Sequence, residues 1–393
     1  MTSAGKWILG IIVLIVVVVL LAVIANNGSK VATDDGPIKI GFVGPLTGEA
    51  AAYGEPARNI TQIAVEEINA EGGINGRMLE VIYEDAACSG QKAVSAANKL
   101  INVDKVKYIT GLICSTEALA AVPLGETAKV LMVSQAASSP DLTGKSLYFV
   151  RTNPSDATQG RVLAELAWAK GWKKVAFLQE QLDYPLGIYN AFSKTFLELG
   201  GTITREEFAT SVTDVRSLLT KLRSENPDAL FIDTQTPASA ERAIKQLADL
   251  NWEIQILLTD AGLGDRDMVG RNATALEGAV GAEFGVDPTN PKFANLAKVY
   301  MEKYGLELPY QQYAQTEYDA VYMIRDAIAL VGNDTEAAAR WFRDVENWMG
   351  ASGVVEIGED GDRTGGHIPK IVKSGDVVSL ADQTLQEENE SME

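Results

Sequence analysis

The chain has 393 residues, of which 46% are hydrophobic and 22% charged, a composition that allows two folded domains with full cores and excludes a mostly disordered protein. Its net charge of −19 argues against nucleic acid as a partner, because phosphate recognition depends on Lys and Arg. Two cysteines and a single histidine are too few ligands for a credible metal site, and we predict neither a metal nor a cofactor.

An uncharged apolar run lies at residues 7–25. At about 1.5 Å per residue it would span about 28 Å, close to the hydrocarbon core of a bilayer, which predicts an uncleaved membrane anchor. The alternative is a cleaved secretory signal, since Lys6 precedes the run and residues 23–25 resemble a cleavage site. Both interpretations place residues 38 onward outside the cytoplasm.

The two cysteines, Cys88 and Cys114, have a use in that location, because an oxidising compartment allows thiols to pair. A bridge between them would close a loop of about 25 residues and stabilise the fold by about 3 kcal/mol in the chain-entropy model. We therefore predict a disulfide that ties the strand end before Cys114 to the loop that carries Cys88.

After a polar linker at residues 26–37, apolar β-type runs alternate with segments of helical period. The predicted strands are residues 38–44, 79–84, 107–112, 130–134, 174–179, 202–208, 228–233 and 254–259. The predicted helices are residues 55–71, 90–102, 116–125, 156–170, 185–199, 214–224 and 238–250. This alternation predicts an α/β fold with parallel sheets covered by helices on both faces.

The alternation starts again after Arg151, where "RTNPSDATQG" places Ser155 as a helix N-cap. Two α/β units are therefore expected to follow one another. Three later helices can complete either unit, and they are predicted at residues 291–304, 313–331 and 335–347. The acidic segment 381–393 is predicted to be a disordered tail.

Ligands bind at the carboxyl ends of strands in open parallel sheets, and polar or aromatic residues follow several of the predicted strands. These candidates are Thr47, Tyr53, Ser115, Thr116, Ala136, Ala137, Ser138, Asp183, Tyr184, the segment 234–236 and Asp260. Two of the loops, "CSTEA" and "SQAASSP", supply hydroxyls and free backbone amides, which favour an anion at a helix N-terminus. Neither loop contains Arg or Lys, so a carboxylate suits them better than a phosphate.

Each of these residues also has a purely structural interpretation. Ser115 can cap its own helix, although the third residue after it is Ala118 and not the Glu of a capping box. Asp260, in "LLTDAGLG", can hold the ammonium group of a ligand or can form an N-cap or turn. Tyr184 can close over a ligand or pack beside Pro185.

The sequence gives little indication of catalysis. Its histidine, His367, lies in the turn-like stretch "DRTGGHIP", which we interpret as surface, and no serine or acid motif stands beside it. The stretch "GFVGPLTG" lacks the G-x-G-x-x-G spacing of a dinucleotide site, and no G-x-S-x-G elbow occurs. We therefore predict a binding protein and not an enzyme.

Several motifs together resemble one family of binding proteins. The run "INAEGGINGRMLEVIYED" is specific, and "LMVSQAASSPDLT", "FVRTNPSDATQG" and "TEYDAVYMIRDAI" follow in the same order and spacing. Residues 38–380 are thus similar to the leucine/isoleucine/valine-binding proteins, the type I extracytoplasmic solute-binding proteins of ABC importers. The resemblance implies two doubly wound, Rossmann-like lobes, joined by a three-strand hinge, that close on an amino acid or a related small carboxylate.

The resemblance also implies how the chain is divided and what it meets. Lobe one would comprise residues 38–150 and 282–352, and lobe two residues 151–281 and 353–380. The protein would be a monomer that delivers its small-molecule ligand to an ABC permease in the membrane. A membrane-tethered sensor with the same fold is the alternative.

The family's carboxylate-binding loops match two places in this sequence. Its serine after the second cysteine matches Ser115, and its alanine and threonine loop matches Ala136, Ala137 and Ser138. Ser138 replaces the usual threonine and keeps the hydroxyl. The family's cysteine pair matches Cys88 and Cys114, so the resemblance implies the same disulfide.

The remaining family contacts fall on the second α/β unit and on the first helix. The acidic group for the α-ammonium falls on Asp260, a shorter side chain than the glutamate of several members, and the aromatic closing residues fall on Tyr53 and Tyr184. The side-chain pocket is expected around residues 234–236, with Thr236 as a ligand contact, and there this sequence lacks the tyrosines of branched-chain binders. That departure leaves open whether the ligand is aliphatic, polar or of the amide type.

Overall fold

The computed structural model describes residues 36–381, and its first sheet is built from the beginning of this range. The strands are β1 (Ile38–Gly44), β2 (Leu79–Asp85), β3 (Tyr108–Gly111), β4 (Leu131–Ser134) and β5 (Phe149–Arg151). They lie in the order β2-β1-β3-β4-β5, and every neighbouring pair is parallel. Every residue of β3 and β4 is buried, and accordingly neither strand alternates between polar and apolar residues.

The second sheet takes its strands from the rest of the described chain. The further strands are β6 (Lys174–Glu180), β7 (Thr202–Phe208), β8 (Ala229–Asp233), β9 (Gln255–Leu258), β10 (Val280–Phe284), β11 (Trp348–Gly350), β12 (Gly353–Val355), β13 (His367–Lys373) and β14 (Asp376–Ser379). The sheet has the order β14-β13-β10-β9-β8-β6-β7, and β11 and β12 form a separate hairpin. The predicted α/β class is confirmed, but β13 and β14 run antiparallel to their neighbours and not parallel as predicted.

Helices cover both sheets at nearly all the predicted positions. They are α1 (Ala51–Ala70), α2 (Gly90–Asn102), α3 (Ser115–Ala128), α4 (Asp156–Ala169), α5 (Asp183–Glu198), α6 (Arg216–Ser224), α7 (Pro237–Asp249), α8 (Asp260–Leu263), α9 (Arg266–Arg271), α10 (Ala273–Leu276), α11 (Pro291–Tyr304), α12 (Gln311–Val331) and α13 (Thr335–Asp344). Ser155 caps α4 as predicted, because its hydroxyl accepts the amide of Ala157. The short helices α8 to α10 were not predicted, since four to six residues are too few to establish a helical period.

The chain passes between the two sheets three times. After β10, helices α11 to α13 return to the first sheet, where α12 packs against α1, β3 and β4; strands β13 and β14 then complete the second sheet. The predicted division at residue 282 falls inside β10, which lies entirely in the second sheet. The division at 353 separates β11 from β12, whose Val355 packs into the core of the first sheet. Both divisions therefore belong a few residues further along the chain.

The predicted disulfide between Cys88 and Cys114 is confirmed, with the two Cα atoms 5.5 Å apart. Helix α3 begins one residue earlier than predicted, so Cys114 and not Ser115 is its N-cap. The carboxylate of Glu117 accepts the backbone amides of Cys88 at 2.8 Å and of Cys114 at 3.2 Å. The disulfide and a buried glutamate thus fix the first turn of α3 together.

Within residues 36–381, no helix is long and apolar enough to cross a membrane. The predicted anchor or signal at residues 7–25 lies outside the described residues. The same holds for the linker at 26–37, apart from its last two residues, and for the tail at 381–393, apart from its first residue.

Candidate functional site

A cavity lies between the carboxyl ends of the two sheets, where the sequence predicted a ligand site. Its lining residues are Tyr53, Ile113, Ser115, Ala136, Tyr184, Gln235, Ala261 and Tyr313. Its empty volume, counted with the space open to solvent, is about 290 Å³. Among the predicted residues, Tyr53, Ser115, Ala136 and Tyr184 line this cavity directly.

Asp260 lies immediately behind the tyrosines of the cavity. It is the first residue of α8, and its buried carboxylate accepts the hydroxyl of Tyr184 at 2.6 Å and the hydroxyl of Tyr313 at 2.6 Å. Burial, together with the charge of Asp260, raises the pKa of both tyrosines, so both hydroxyls keep their protons and donate. A carboxylate has about four acceptor positions, so two donors leave room for a third.

Ser115 is the first residue of α3 and is buried at the opposite side of the cavity. Its Oγ accepts the backbone amide of Ser139 at 3.1 Å and therefore does not cap α3. The hydrogen of this hydroxyl is still available for donation. The backbone amide of Ala136, which also lines the cavity, has no hydrogen-bond partner among residues 36–381. Two donors thus face the cavity from the first sheet.

Ala137, which was predicted to donate its backbone amide to a ligand, does not have that amide free. The amide donates to the hydroxyl of Ser134 at 3.0 Å, and Ala137 is fully buried. The carbonyl of Ala137 accepts the guanidinium of Arg151 at 3.2 Å. Ala137 therefore holds the loop in place, and the prediction of Ala137 as a donor is wrong.

Ser138, the other predicted donor in this loop, is bonded to a buried acid. Its hydroxyl donates to Asp156 at 2.6 Å, while Asp156 returns its backbone amide to the carbonyl of Ser138. Burial and the nearby charge of Asp260 raise the pKa of Asp156 well above its usual range. When Asp156 is protonated it can donate to Ser138, which releases the serine hydrogen for another acceptor.

Tyr53 reaches across the cavity from the first turn of α1. Its hydroxyl donates towards the backbone carbonyls of Gln235, at 3.4 Å, in the loop after β8, and of Ala261, at 3.2 Å, in α8. Its ring packs at a tilt against Tyr310, with ring centres 4.7 Å apart. Tyr53 thus lines the cavity and contacts the second sheet, and its role in closing over a ligand stays a prediction.

Thr236, in contrast, is not in the cavity wall. Its hydroxyl accepts the amide of Ser239 at 3.2 Å and forms the N-cap of α7. The neighbouring residue Gln235 occupies the wall instead. Within the predicted segment 234–236, Gln235 therefore lines the cavity and Thr236 does not, because a strand end alone does not tell which side chain faces the cavity and which caps the following helix.

Tyr313 and Tyr310 were not predicted as site residues. They lie in or beside the first turn of α12, which the predicted helix at 313–331 placed correctly but without a position relative to the sheets. The chain has to cross back to the first sheet before this turn can reach Asp260. Two tyrosines spaced one helical turn apart, directly after Pro309, are the signal that could have indicated an aromatic wall.

A second cavity adjoins the first and shares three of its walls, Tyr53, Ile113 and Tyr313. Its empty volume is about 260 Å³. The other lining residues are Pro56, Ala57, Ile60, Gln135, Pro309, Tyr310 and Ala314, which are mostly apolar. The cavity with Ser115 in its wall thus has a mostly apolar and aromatic neighbour.

His367 is buried and not at the surface as predicted. It begins β13, and its Nδ1 lies 2.7 Å from the hydroxyl of Thr158. Burial lowers its pKa to about 4, because the charged imidazolium loses its hydration. Within residues 36–381, no group of three or more His, Cys, Asp or Glu side chains could hold a metal ion.

Two crossed-over α/β sheets with a small polar and aromatic cavity between their carboxyl ends define a solute-binding protein. The chain matches the family of periplasmic binding proteins over residues 37–367 and belongs to that family. Its members are substrate-binding proteins of transporters and not enzymes, and they work outside the cytoplasm.

Relatives from several bacteria also belong to the amino-acid-binding proteins of this family. The Leu/Ile/Val-binding protein BraC3 of Rhizobium johnstonii is 31% identical over 334 residues, which are 83% of this chain and 89% of BraC3. The structure of the leucine-binding protein LivK of Thermotoga maritima is 31% identical, with a TM-score of 0.80 over 87% of this chain and 97% of LivK. LivJ of Streptococcus pneumoniae, a branched-chain amino acid transporter protein solved with isoleucine, is 25% identical, with a TM-score of 0.77 over 87% of this chain and 99% of LivJ.

Proposed function

We propose that the protein binds an amino acid, or a related small carboxylate, in the cavity between its sheets and delivers it to an ABC importer. The relatives that bind leucine or isoleucine support this class of ligand. The observation that carries the proposal is the buried carboxylate of Asp260, which is held by Tyr184 and Tyr313, two tyrosines that line the same cavity as Ser115. A zwitterionic amino acid has an ammonium group that can pair with Asp260 and a carboxylate that can accept from Ser115.

The ligand's carboxylate binds the first sheet. It accepts hydrogen bonds from the hydroxyl of Ser115 and the backbone amide of Ala136, and from Ser138 when Asp156 is protonated. The ligand's ammonium group donates to Asp260 from the second sheet. Each hydrogen bond to a charged group contributes about 1.5–3 kcal/mol, so three or four of them reach the roughly −8 kcal/mol of micromolar binding.

We infer that two lobes close around the ligand, because the chain is divided between two sheets. In this proposal each sheet with its helices forms one lobe, and the three chain crossings form the hinge. Tyr53 donates to carbonyls of the other lobe, and Arg242 pairs with Glu49 across the same boundary at 2.9 Å. These contacts stabilise the closed form, which is the form that an ABC permease in the membrane recognises. Anchoring through residues 7–25 stays a prediction.

Calorimetric titration with a panel of amino acids tests this function. We expect heat from at least one amino acid, and an affinity about 10- to 100-fold lower in Asp260→Asn, because the ammonium loses its charged partner. Ser115→Ala should weaken the same ligand about tenfold through the lost carboxylate donor. The deaminated analogue of the ligand should lose little affinity in Asp260→Asn, since it has no ammonium group.

Asp267→Asn is the matched control, since Asp267 is exposed and lies seven positions from Asp260 in the same region of the chain. Its affinity should equal that of the wild type. Thermal melting of each variant shows whether the fold is retained. The proposal is wrong if no amino acid or small carboxylate binds, or if Asp260→Asn and Ser115→Ala both bind like the wild type.

A further inference from the structure

One polar side chain in the cavity wall has no partner in the protein. The side-chain oxygen of Gln235 is buried and has no hydrogen-bond partner among residues 36–381. The hydroxyls of Tyr184 and Tyr313 donate to Asp260, and the hydroxyl of Tyr53 donates to backbone carbonyls. Gln235 therefore offers the cavity an amide that the folded chain itself does not satisfy.

The position of Gln235 is fixed by its backbone. Its amide donates to the carboxylate of Glu180 at 2.9 Å, and its carbonyl accepts the hydroxyl of Tyr53. The next residue, Thr236, caps α7. Both peptide groups of Gln235 are thus held, and its buried side chain forms part of the cavity wall. A buried polar atom without a partner is costly, and a ligand group that pairs with it restores the lost hydrogen bond.

We propose that Gln235 is a specificity-determining residue that selects an amino acid with a hydroxyl or carboxamide side chain over a branched aliphatic one. The inference rests on the proposed function and names the class of ligand for that site. Hydroxyl and carboxamide groups both donate and accept, so they satisfy the Gln235 amide in either of its two orientations. An aliphatic side chain leaves the amide buried and unpaired, which disfavours binding.

A second glutamine supports a polar ligand. Gln135 lines the adjoining cavity, and its side-chain oxygen is also buried without a partner among the described residues. It follows β4 of the first sheet, whereas Gln235 follows β8 of the second. Each cavity is thus lined by one glutamine with an unpaired side-chain oxygen. A ligand that extends from one cavity into the other meets a hydrogen-bonding group in each.

The test compares ligands of nearly equal shape by calorimetry on the wild-type protein. Threonine is paired with valine, and asparagine with leucine. We expect the polar member of at least one pair to bind about tenfold more tightly, or better. In Gln235→Met, which keeps the length of the side chain but removes its amide, the preference should fall below about threefold.

Gln179→Met is the matched control, because Gln179 is equally buried with an unpaired side-chain oxygen but does not line either cavity. Its preference should equal that of the wild type. Tighter binding of valine and leucine by the wild type would overturn the inference while the proposed function stands. An unchanged preference in Gln235→Met would overturn it too. If no amino acid binds, the inference fails, whereas the proposed function fails only if no related small carboxylate binds either; the wild-type comparison needs no variant to fold.

Discussion

At the scale of single residues, Asp260 is held by hydroxyls from two distant parts of the chain. Tyr184 belongs to α5 of the second sheet, and Tyr313 belongs to α12, which covers the first sheet. The contact between Tyr313 and Asp260 therefore forms only when the two halves of the molecule are together. In the proposed function, this hydrogen bond would both orient the acid for an ammonium group and contribute to closure.

Removing the hydroxyl of Tyr313 tests this double role. In Tyr313→Phe the ring still fills the cavity wall, but Asp260 keeps only Tyr184 as a donor. A hydrogen bond to a charged group is worth about 1.5–3 kcal/mol, so we expect the dissociation constant of the bound amino acid to rise about tenfold or more. Calorimetric titration measures the change.

Tyr322→Phe is the control for Tyr313→Phe. Tyr322 lies on the same helix, but its hydroxyl donates to Glu67 at 3.0 Å, far from the cavity walls. Its removal should leave the affinity unchanged. Equal affinities for wild type and Tyr313→Phe would show that the bond to Asp260 is irrelevant to binding.

At the scale of elements, the first turn of α3 connects the disulfide to the site. Cys114 caps the helix, Ser115 follows it into the cavity wall, and Glu117 accepts amides from both cysteines. The bridge to Cys88 thus restrains the peptide that positions Ser115. Stability and ligand affinity should therefore depend on the same covalent link.

Reduction of the disulfide should lower both the stability of the fold and the affinity for the ligand. The chain-entropy model gives about 3–4 kcal/mol for a bridge of sequence separation 26, which corresponds to a melting temperature about 5 °C lower for a unit of this size. Ligand affinity should fall as the first turn of α3 loosens. Differential scanning calorimetry with and without reductant measures the shift, and thiol titration verifies that the bridge is open.

The double variant Cys88→Ser/Cys114→Ser serves as the reference for this experiment. It should melt at the temperature of the reduced wild type, and reductant should not change it further. A wild type that melts at the same temperature with its thiols demonstrably free would contradict a stabilising role for the bridge.

The sequence predicted the elements better than their assembly. Apolar runs such as 107–112 and 130–134 identified buried strands, and Ser155 identified a helix start, because both signals are local. Strand β5, with three residues, and the antiparallel pair β13 and β14 carry no comparable local signal. Their places depend on crossings that pair strands from distant parts of the chain.

The same distinction explains the site. Ser115 and Asp260 follow strand ends directly, so the rule for parallel sheets identified them. Tyr313 lies 53 residues after Asp260 and reaches it only through tertiary packing, which no local pattern predicts. Ala137 and Thr236 lie in the predicted loops, but their polar groups bond within the chain, and it is their neighbours Ala136 and Gln235 that line the cavity.

At the scale of the whole molecule, several acids are buried away from water. Burial raises the pKa of Glu117 and Glu317 from the usual 4.5 to about 7 and raises the pKa of Asp233 well above its normal range. The folded protein therefore holds these protons more tightly than the unfolded chain does. Tighter proton binding by Glu117 and Glu317 stabilises the fold fully below about pH 4.5. As the pH rises to about 7 this stabilisation is lost, on the order of 3 kcal/mol for each glutamate.

His367 acts in the opposite direction. Its pKa is lowered from 6.5 to about 4, so the unfolded chain binds this proton more tightly, and stability from this group grows as the pH rises through that interval. The pH dependence of stability that His367 contributes therefore offsets about as much as one of the two glutamates contributes. The remaining acids and the growing negative charge of a chain with net charge −19 then favour greater stability at mildly acidic pH.

We therefore expect the ligand-free protein to melt at its highest temperature near pH 5 and about 5 °C lower at pH 8. Glu317→Gln should flatten this decline, because glutamine can still accept the hydroxyl of Thr61 but has no proton to lose. Glu80→Gln, at an exposed position, should keep the decline of the wild type. Differential scanning calorimetry between pH 5 and pH 8 measures all three proteins. A melting temperature that rises steadily over this range, or an equally steep decline in Glu317→Gln, would show that these buried acids do not govern the stability of the fold.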